Sequence, residues 1–340
     1  MVMPRPSVGV ELKTVINTTV HANKHVNARP PTRHGVSPSV MALPPMAVFG
    51  SGVQPSSLLS YLELSTHIPH GQSWDERLKQ GLVLDEQAQP LPVDAPYMPG
   101  KRIYYYRHID AEPRIPFDEA VLYQDAHILV ADKPHFLPVT PTGRYVQETL
   151  LVRLKQRTGL DDLAPLHRID RDTAGLVLFS VQPATRGVYA SLFKDRAVHK
   201  TYEAIAPYNA ALPFPCTRES RMVRAAASFM QMQEMPGTPN SCTQIHLLEQ
   251  RGAWARYQLH PITGQRHQLR LHMLALGLPL LGDQIYPVLT PEPDINALDY
   301  SQPLQLLAKS VAFADPVTGE GRHFVSQLDL NWPRDWRGQV

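Results

Sequence analysis

The segment HRIDRDTAG, residues 167–175, places Asp170 between two arginines, Arg168 and Arg171. Neighbouring cations favour the charged form of a carboxyl group, so Asp170 is expected to stay ionised at neutral pH. An ionised carboxylate suits nucleophilic attack, or stabilisation of a cationic transition state at a sugar carbon, and does not suit general-acid catalysis. The competing interpretation is a surface turn with solvated ion pairs, each contributing about 0–1 kcal/mol. Local composition by itself favours the turn.

A second candidate is the basic window 251–272, which contains four arginines, three histidines and no acidic residue. Its pattern predicts a strand, a turn at Gly264 and a helix, so backbone N–H groups and the positive end of the helix would face an anion there. Arg266, His267 and Arg270 could then project from one helix face. The window favours RNA or another polyanion as partner, with an ordinary basic surface helix as an equal alternative. A zinc site is disfavoured because no third ligand or glutamate base is suitably placed.

Tyr202 follows Lys200 at the start of a predicted strand. A strand tyrosine is most often a core residue with a hydrated hydroxyl group, and this interpretation is favoured for Tyr202 taken alone. The aromatic run 104–106 could stack on bases, but packing within a strand is favoured. The chain contains no GxGxxG, GxxxxGK[ST] or HExxH pattern, so neither a cofactor nor a metal is predicted.

Length and charge limit the class of protein. The 340 residues are enough for one large domain or two ordinary ones, and the formal net charge is +2. Residues 1–40 carry five basic groups and one acidic group, so the remainder is slightly acidic and could bind nucleic acid only through local basic patches. Cys216 and Cys242 have no metal-ligand spacing, which favours a reduced protein. No apolar stretch resembles a membrane span or a signal peptide, and we predict a cytoplasmic protein, with nothing to demand more than a monomer.

Three regions are predicted along the chain. Residues 1–45 lack helical or strand periodicity and are predicted to be a disordered leader. Residues 46–110 are predicted to form a compact helix–helix–strand–strand module, in which Ser73 and Glu76 form a capping box. Residues 111–335 are predicted to be one α/β domain.

In the third region, strands and helices do not alternate regularly. This favours an α+β fold, with a mixed, mostly antiparallel sheet and flanking helices, over a doubly wound parallel sheet. One strand is predicted to end at Lys133. Residues 146–159 predict an amphipathic helix with a basic outer face formed by Arg153, Lys155 and Arg157.

Four sequence blocks, covering about residues 118–290, resemble in content and order those of the RluA family of RNA pseudouridine synthases. They are VLYQDAHILVADKPHFLPVTP, PLHRIDRDTAGLVLFS, HKTYEAI and TGQRHQLRLHMLALGLPLLGDQIYP. The second is similar to the HRLDxxTSG signature and the fourth to the TGRxHQIRxH…GDxxY block, and both are long and specific. The resemblance implies the pseudouridine synthase fold. It also implies isomerisation of uridines in structured RNA, 23S ribosomal RNA or transfer RNA, without a cofactor.

The resemblance also implies roles for individual residues. Asp170 matches the catalytic aspartate, Tyr202 the active-site tyrosine that stacks on the target base, and Arg270 the arginine that pairs with the aspartate. Arg168 matches a residue that helps to hold the target nucleotide out of its stack. Four basic residues are expected to contact the RNA: Arg168, Arg266, His267 and Lys133.

The chain departs from the family pattern in several places. TAG replaces the usual TSG, Gln265 stands where the family has the first arginine of TGR, and residues 306–308 read LLA instead of LHA. These changes leave the aspartate unaltered and bear on substrate identity more than on activity. Residues 46–110 resemble, loosely, the S4-like RNA-binding module of many members. Acidic Asp85 and Glu86 at its turn disfavour RNA binding by this module.

Two other functions are compatible with the sequence. The protein could be an RNA-binding or ribosome-associated protein that has kept the fold and lost catalysis, although the intact aspartate, tyrosine and arginine argue against it. It could also be a hydrolytic nucleosidase, which would release free uracil.

Overall fold

The computed structural model describes residues 30–49, 54–65, 72–107, 112–226, 228–294 and 297–333, and every structural statement below concerns these residues. Residues 1–29 of the predicted leader lie outside the described residues. Within the described part of the chain, no helix has both the length and the apolar character needed to cross a membrane.

Two helices and three short strands form an N-terminal module. They are β1 (Ser39–Ala42), α1 (Leu58–Ser65), α2 (Trp74–Lys79), β2 (Val83–Leu84) and β3 (Arg102–Tyr105), with a 3-10 turn at Met46–Phe49. The strands pair antiparallel in the order β1-β3-β2. Helix α2 begins with the predicted capping box, in which the hydroxyl oxygen of Ser73 accepts the Glu76 N–H and the Glu76 carboxylate accepts the Ser73 N–H. Tyr104 and Tyr106 are buried, as expected for packing within a strand.

The predicted boundary of the leader at residue 45 is wrong. Strand β1 lies before that boundary and pairs along its length with β3, and Leu43 is buried in the core of the module. A four-residue strand gains its stability from pairing with a neighbour, so it leaves no sustained periodic pattern in the sequence.

Eleven strands form the large sheet of the second domain. They are β4 (Ala120–Gln124), β5 (Ile128–Lys133), β6 (Ala164–Pro165), β7 (Ala174–Ser180), β8 (His199–Pro207), β9 (Cys216–Arg224), β10 (Met232–Met235), β11 (Ser241–Arg251), β12 (Trp254–Pro261), β13 (Leu306–Ala314) and β14 (Gly321–Val325). Their order is β10-β9-β11-β12-β8-β13-β7-β5-β4, with β14 beside β13 and β6 beside β7. Among these strands, all pairs are antiparallel except β7 with β13. The predicted mixed, mostly antiparallel sheet is confirmed.

Three helices cover this sheet: α3 (Leu150–Thr158), α4 (Pro183–Lys194) and α5 (Gln268–Ala275). Helix α3 packs Leu150 and Leu154 against one face of β5 and β7, while α4 packs Tyr189 against the other face. Both strands are therefore buried on both faces, which explains their continuous apolar sequences. Helix α5 packs Leu269 and Met273 against β8, β11 and β12.

The predicted basic outer face of α3 is wrong for Arg153 and Lys155, whereas Arg157 is exposed. Arg153 forms ion pairs with Glu148 and Glu119, and only 10% of its side chain is exposed. Lys155 is buried, and its ammonium group donates 2.6 Å to the carbonyl oxygen of Asp161. Buried cations require partners. Here the partners come largely from segments outside the helix, so the helical pattern alone could not reveal them.

Residues 30–36 make contacts with both the module and the second domain. The Tyr106 hydroxyl group donates 2.5 Å to the carbonyl oxygen of Pro31, and Gln156 on α3 donates 2.7 Å to that of His34. Val36 packs with Val152 of α3. The segment therefore contacts both the end of β3 and helix α3.

The parallel junction between β7 and β13 depends on Gly175. Ala174 pairs with Leu307 and Gly175 with Ala308. Gly175 has φ +108°, and a Cβ atom there would lie 2.3 Å from the carbonyl oxygen of Ala308. Glycine is the residue that tolerates both this backbone conformation and this close approach. The TAG and LLA segments thus meet in space, directly after the loop that carries Asp170.

We expect Gly175→Ala to lower the free energy of unfolding by at least about 2 kcal/mol, through backbone strain and the contact with Ala308. Gly187→Ala is the control, because Gly187 lies on exposed α4 with nothing within 4 Å of a Cβ. That substitution should stabilise the protein by about 0.5–1 kcal/mol. Urea unfolding followed by circular dichroism measures both changes, and equal stability of the two variants would contradict the analysis.

Candidate active site

Asp170 lies on the loop between β6 and β7, with 31% of its side chain exposed. Its carbonyl oxygen accepts the N–H of Thr173 at 3.2 Å, which closes a tight turn. Before the turn, the ring nitrogen Nε2 of His167 accepts the N–H of Leu178 at 3.1 Å, and the ring stacks on Phe193. Burial lowers the pKa of His167 to about 3, so the ring is neutral and able to accept this bond. The loop is therefore anchored to β7 on its incoming side.

Lys133 and His135 anchor the outgoing side of the loop. The Lys133 ammonium group donates 2.9 Å to the carbonyl oxygens of Pro134 and Arg171. His135 Nδ1 lies 2.8 Å from the carbonyl oxygen of Asp172. Two successive carbonyl groups after Asp170 are thus held by side chains from the end of β5.

The expectation that Lys133 contacts RNA is wrong. Its side chain is fully buried, and its ammonium group donates to the two carbonyl oxygens described above. Burial is the main cause that lowers its pKa to about 7, against the opposing charges of Asp172 and Asp170. A lysine at the end of a strand resembles a surface cation in sequence, and only the tertiary packing shows that it is a positioning residue.

Arg270 on α5 is nearly fully buried and is held by Asp283. Its Nε lies 2.9 Å from one carboxylate oxygen and its Nη2 lies 2.5 Å from the other. The remaining nitrogen, Nη1, lies 3.5 Å from Asp170 Oδ2 and makes no hydrogen bond within the described part of the chain. Burial alone would lower the pKa of Arg270, but Asp283 and Asp170 raise it, so the guanidinium group stays charged. The resemblance predicted the approach to Asp170, and it is present.

Asp283 was missed by the sequence reasoning, although it lies within the quoted GDQIY segment. Its Oδ1 also accepts the N–H groups of Ile285 and Tyr286 at 2.8 and 2.9 Å. Neighbouring Gly282 has φ +76°, and a Cβ there would lie 2.3 Å from the carbonyl oxygen of Pro303. The segment is therefore shaped to present one buried carboxylate to Arg270.

His267 and Arg266 lie before α5, so the expectation that they share its face with Arg270 is wrong. His267 is the N-cap residue of α5, with φ 55°. Its Nε2 lies 3.9 Å from Asp170 Oδ1, and its Nδ1 lies 3.2 Å from the hydroxyl oxygen of Tyr286. Burial lowers its pKa despite the charge of Asp170, so the ring is neutral near pH 7. His267 therefore borders the carboxylate as a neutral group.

The turn at Gly264 is less open to an anion than the sequence predicted. The side-chain oxygen of Gln268 accepts both the N–H of Gln265 at 3.0 Å and the hydroxyl group of Thr263 at 2.6 Å. These donors are consumed inside the turn. Gln265, the departure from the family pattern, instead points its amide towards the carbonyl oxygen of Asn240.

Tyr202 lies on β8, paired with Leu259 of β12 on one side and Ala308 of β13 on the other. Its ring packs partly against the core of the β8–β12 region. Burial and the charge of Asp170 both raise the pKa of its phenol, so Tyr202 stays protonated at neutral pH. A neutral aromatic ring from the centre of the sheet thus lies in the field of the Asp170 carboxylate.

The rim of the site is basic and partly aromatic. Arg168 is exposed. Arg266 donates to the carbonyl oxygens of Phe229 and Met230 in the loop between β9 and β10. The Phe229 ring is 75% exposed, and the guanidinium carbons of Arg266 and Arg224 lie 5.8 and 5.9 Å from its centroid. No sequence signal distinguished Phe229, because its exposure depends on the loop.

The described residues contain no cluster of three or more histidine, cysteine or carboxylate side chains that could hold a metal ion. Arg171 and Asp172 form a local ion pair in the turn, at 2.9 Å, and Arg171 also contacts Glu292.

Comparisons with known proteins give the family of the chain. The family model for RNA pseudouridylate synthases matches residues 127–275. An uncharacterized RNA pseudouridine synthase of Synechocystis is 30% identical over 218 residues, which are 63% of this chain and 74% of the relative. The dual-specificity RNA pseudouridine synthase RluA of Haemophilus influenzae is 30% identical over 224 residues, which are 62% of this chain and 93% of the relative.

The chain belongs to the RluA-type family of RNA pseudouridine synthases. Human RNA pseudouridylate synthase domain containing 1 has the same fold, with a TM-score of 0.51 at 21% identity over 67% of this chain and 96% of that structure. The matched range contains Asp170, Tyr202 and Arg270, while Asp283 lies beyond it. As a member of this RNA pseudouridine synthase family, the protein is an isomerase that acts on RNA.

The depressed pKa of Lys133 predicts a pH dependence of stability. An unfolded lysine keeps its proton up to about pH 10, whereas burial lowers the pKa of Lys133 to about 7 in the folded protein. Between these values the unfolded chain binds more protons, so this group makes stability rise with pH. We expect Lys133→Met to lack that rise. The free energy of unfolding of the wild type should therefore increase relative to that of the variant from pH 7 to pH 10.

Urea unfolding at a series of pH values measures this difference. The control is Lys79→Met, because Lys79 is an exposed lysine paired with Asp75. If the free energies of unfolding of the wild type and Lys133→Met change in parallel from pH 7 to pH 10, the lowered pKa of Lys133 is contradicted.

Proposed function

We propose that the protein converts uridines in structured RNA to pseudouridine, with Asp170 as the catalytic carboxylate. The observation that carries this proposal is the position of the buried Arg270 guanidinium group, which Asp283 holds. Its Nη1 makes no hydrogen bond within the described residues and lies 3.5 Å from Asp170 Oδ2. A guanidinium group held in this way presents a fixed positive charge to the Asp170 carboxylate. Family membership supplies the reaction to which such a carboxylate would be applied.

The reaction needs one carboxylate and no external group. The bond between C1′ and N1 of uridine breaks, the uracil turns within the site, and C1′ joins C5, which then loses its proton as N1 gains one. The atoms of substrate and product are the same, so no oxidant, reductant or water is consumed. Asp170 acts either as the nucleophile at C1′ or as the acceptor of the 2′ proton, and both routes require it ionised. Neutral Tyr202 would stack on the turning base.

The rim offers the contacts that an extruded nucleotide requires. A uridine inside a helix or a stacked loop must be flipped out, which costs a few kcal/mol that phosphate contacts can offset. We assign phosphate or base contacts to Arg168 and Arg266, and a place beside the target nucleotide to His267. Exposed Phe229, flanked by Arg224 and Arg266, would offer a face on which a neighbouring base can stack.

The proposal includes the target RNA. We propose 23S ribosomal RNA, transfer RNA or both as targets. The Haemophilus influenzae relative is named a dual-specificity enzyme, which supports more than one kind of target RNA for that protein. We also propose a monomeric cytoplasmic enzyme, with residues 46–110, extended on their N-terminal side by β1, as an S4-like module and residues 111–335 as the catalytic domain. Pseudouridine mapping of total RNA with and without the gene identifies the target.

Two alternatives are distinguishable by their products. A protein that only binds RNA would produce no pseudouridine, and the completed Asp170–Arg270–Asp283 arrangement argues against it. A nucleosidase would release free uracil, which chromatography of the products detects.

Asp170→Asn should reduce pseudouridine formation by at least about a thousandfold, because the amide can neither attack C1′ nor accept the 2′ proton. RNA binding should be largely retained. Asp195→Asn, an exposed residue at the end of α4, is the control and should be fully active. Carbodiimide mapping of modified RNA measures the product, and activity retained by Asp170→Asn would exclude the proposed role.

Arg266→Gln should weaken RNA binding and make the slope of log Kd against log salt shallower by about 1, as expected when one phosphate contact is lost. Arg114→Gln removes an exposed arginine paired with Asp118 and should leave the slope unchanged. Fluorescence anisotropy over a series of salt concentrations measures both slopes. Identical slopes for the two variants would remove Arg266 from the RNA contacts.

A further inference from the structure

Two arginines beside the Asp170 loop converge on one carboxylate oxygen. Arg144 Nη2 lies 2.9 Å from Glu292 Oε1, and Arg171 Nη1 contacts the same oxygen. The two guanidinium carbons lie 5.7 and 5.9 Å from the centroid of one ring, that of Tyr145. Arg171 directly follows Asp170 in the chain, so this cluster borders the candidate active site.

The arginines are held by the protein, whereas the carboxylate comes from its surface. The side chains of Arg144 and Arg171 are 16% and 34% exposed, while that of Glu292 is 48% exposed. Arg171 is fixed further by Asp172 at 2.9 Å. Glu292 lies on a segment, residues 291–294, that is exposed throughout. Arg144 Nη1 also donates 2.8 Å to the carbonyl oxygen of Pro293, so the backbone of this segment is held while the half-exposed Glu292 side chain is the part of the cluster least enclosed by the protein.

The charges of the cluster balance while Glu292 is in place. Arg144 and Arg171 face Glu292 and Asp172, two cations and two anions. Removal of Glu292 would leave one positive charge in excess, on guanidinium groups whose fork geometry matches both carboxylate and phosphate. A phosphodiester group carries one negative charge, so it can replace Glu292 and restore the balance.

We propose that Arg144 and Arg171 form a phosphodiester site for the RNA strand that carries the target uridine, and that Glu292 occupies it as a mimic of the phosphate until RNA displaces it. The inference rests on the proposed function, because it takes RNA as the molecule that enters beside Asp170. Because Glu292 is 48% exposed, its pairs with the two arginines are partly solvated and weaker than fully buried pairs, which permits the exchange. The pair would lower the affinity for RNA that offers too few phosphates to replace Glu292, and would thereby contribute to selectivity.

The test is the salt dependence of RNA binding by Glu292→Gln. In the wild type, the phosphate replaces a carboxylate of the protein. In the variant, it replaces a solution anion, whose release strengthens binding at low salt. We expect Glu292→Gln to bind a uridine-rich RNA hairpin about three- to tenfold more tightly at low salt, with a slope of log Kd against log salt steeper by about 1. Fluorescence anisotropy of the labelled hairpin measures both quantities.

Glu249→Gln is the matched control. Glu249 is 43% exposed and pairs with Arg251 at 2.6 Å, near the end of β11 that is remote from the Gly264 turn. It loses the same charge from a similar pair and should leave affinity and slope near those of the wild type. Arg144→Gln should weaken binding, and R144Q/E292Q should lose most of the gain of E292Q. Thermal unfolding checks that each variant is folded.

The proposal is overturned if Glu292→Gln binds the hairpin like Glu249→Gln or more weakly, or if R144Q/E292Q keeps the full gain. Pseudouridine formation by the wild type on bulk RNA is measured separately. Its absence would overturn the proposed function and leave the binding comparison standing, so the two failures are distinguishable.

Discussion

The site depends on one buried arginine whose charge must be satisfied. Arg270 is 1% exposed, and an unpaired guanidinium group in such a place would be strongly destabilising. Asp283 takes two of its nitrogens, and the third, Nη1, has Asp170 in front of it at 3.5 Å. The turn at Gly282 directly precedes Asp283, and the N–H groups of residues 285 and 286 donate to the Asp283 carboxylate. Helix α5, the GDQIY segment and the Asp170 loop are thus arranged around one guanidinium group.

The loop itself is held through its backbone. His167 accepts a backbone N–H of β7, while Lys133 and His135 bind the carbonyl groups of residues 171 and 172. None of these side chains contacts the Asp170 carboxylate through a hydrogen bond, so its oxygens stay available on their open side. Under the proposed function, a rigid loop with an accessible carboxylate is suited to attack on a ribose carbon or to accepting a ribose proton. The parallel junction at Gly175, where β7 meets β13, fixes the strand that follows the loop.

Sequence reasoning succeeded where the signal is local or the block is long. The capping box of α2 depends on two residues three apart, and the strand that ends at Lys133 is a continuous apolar run, so both were predicted. Sequence reasoning failed for charged residues that tertiary packing buries: Lys133, Arg153 and Lys155 were interpreted as surface cations, but they are largely buried and pair with groups outside their own helix or strand. The predicted end of the leader at residue 45 was wrong because the four-residue strand β1 is stabilised by pairing with β3 and leaves no periodic pattern in the sequence. Asp283 was within the quoted motif, yet its role depends on a guanidinium group that only the fold brings near.

The protonation states around Asp170 limit the chemistry that its neighbours can perform. Tyr202 keeps its proton because its pKa is raised, and His267 is neutral because burial lowers its pKa. Tyr202 is therefore not a base at neutral pH, whereas the neutral ring of His267, 3.9 Å from Asp170 Oδ1, can accept a proton. The charged groups that face one another are Asp170 and Arg270, and an arginine does not give up its proton. Under the proposed function, the proton that leaves C5 goes to Asp170, to His267 or to solvent, which reaches the carboxylate because a third of its side chain is exposed. If Asp170 takes this proton, the same carboxylate serves at the start and at the end of the isomerisation, and one acidic residue suffices.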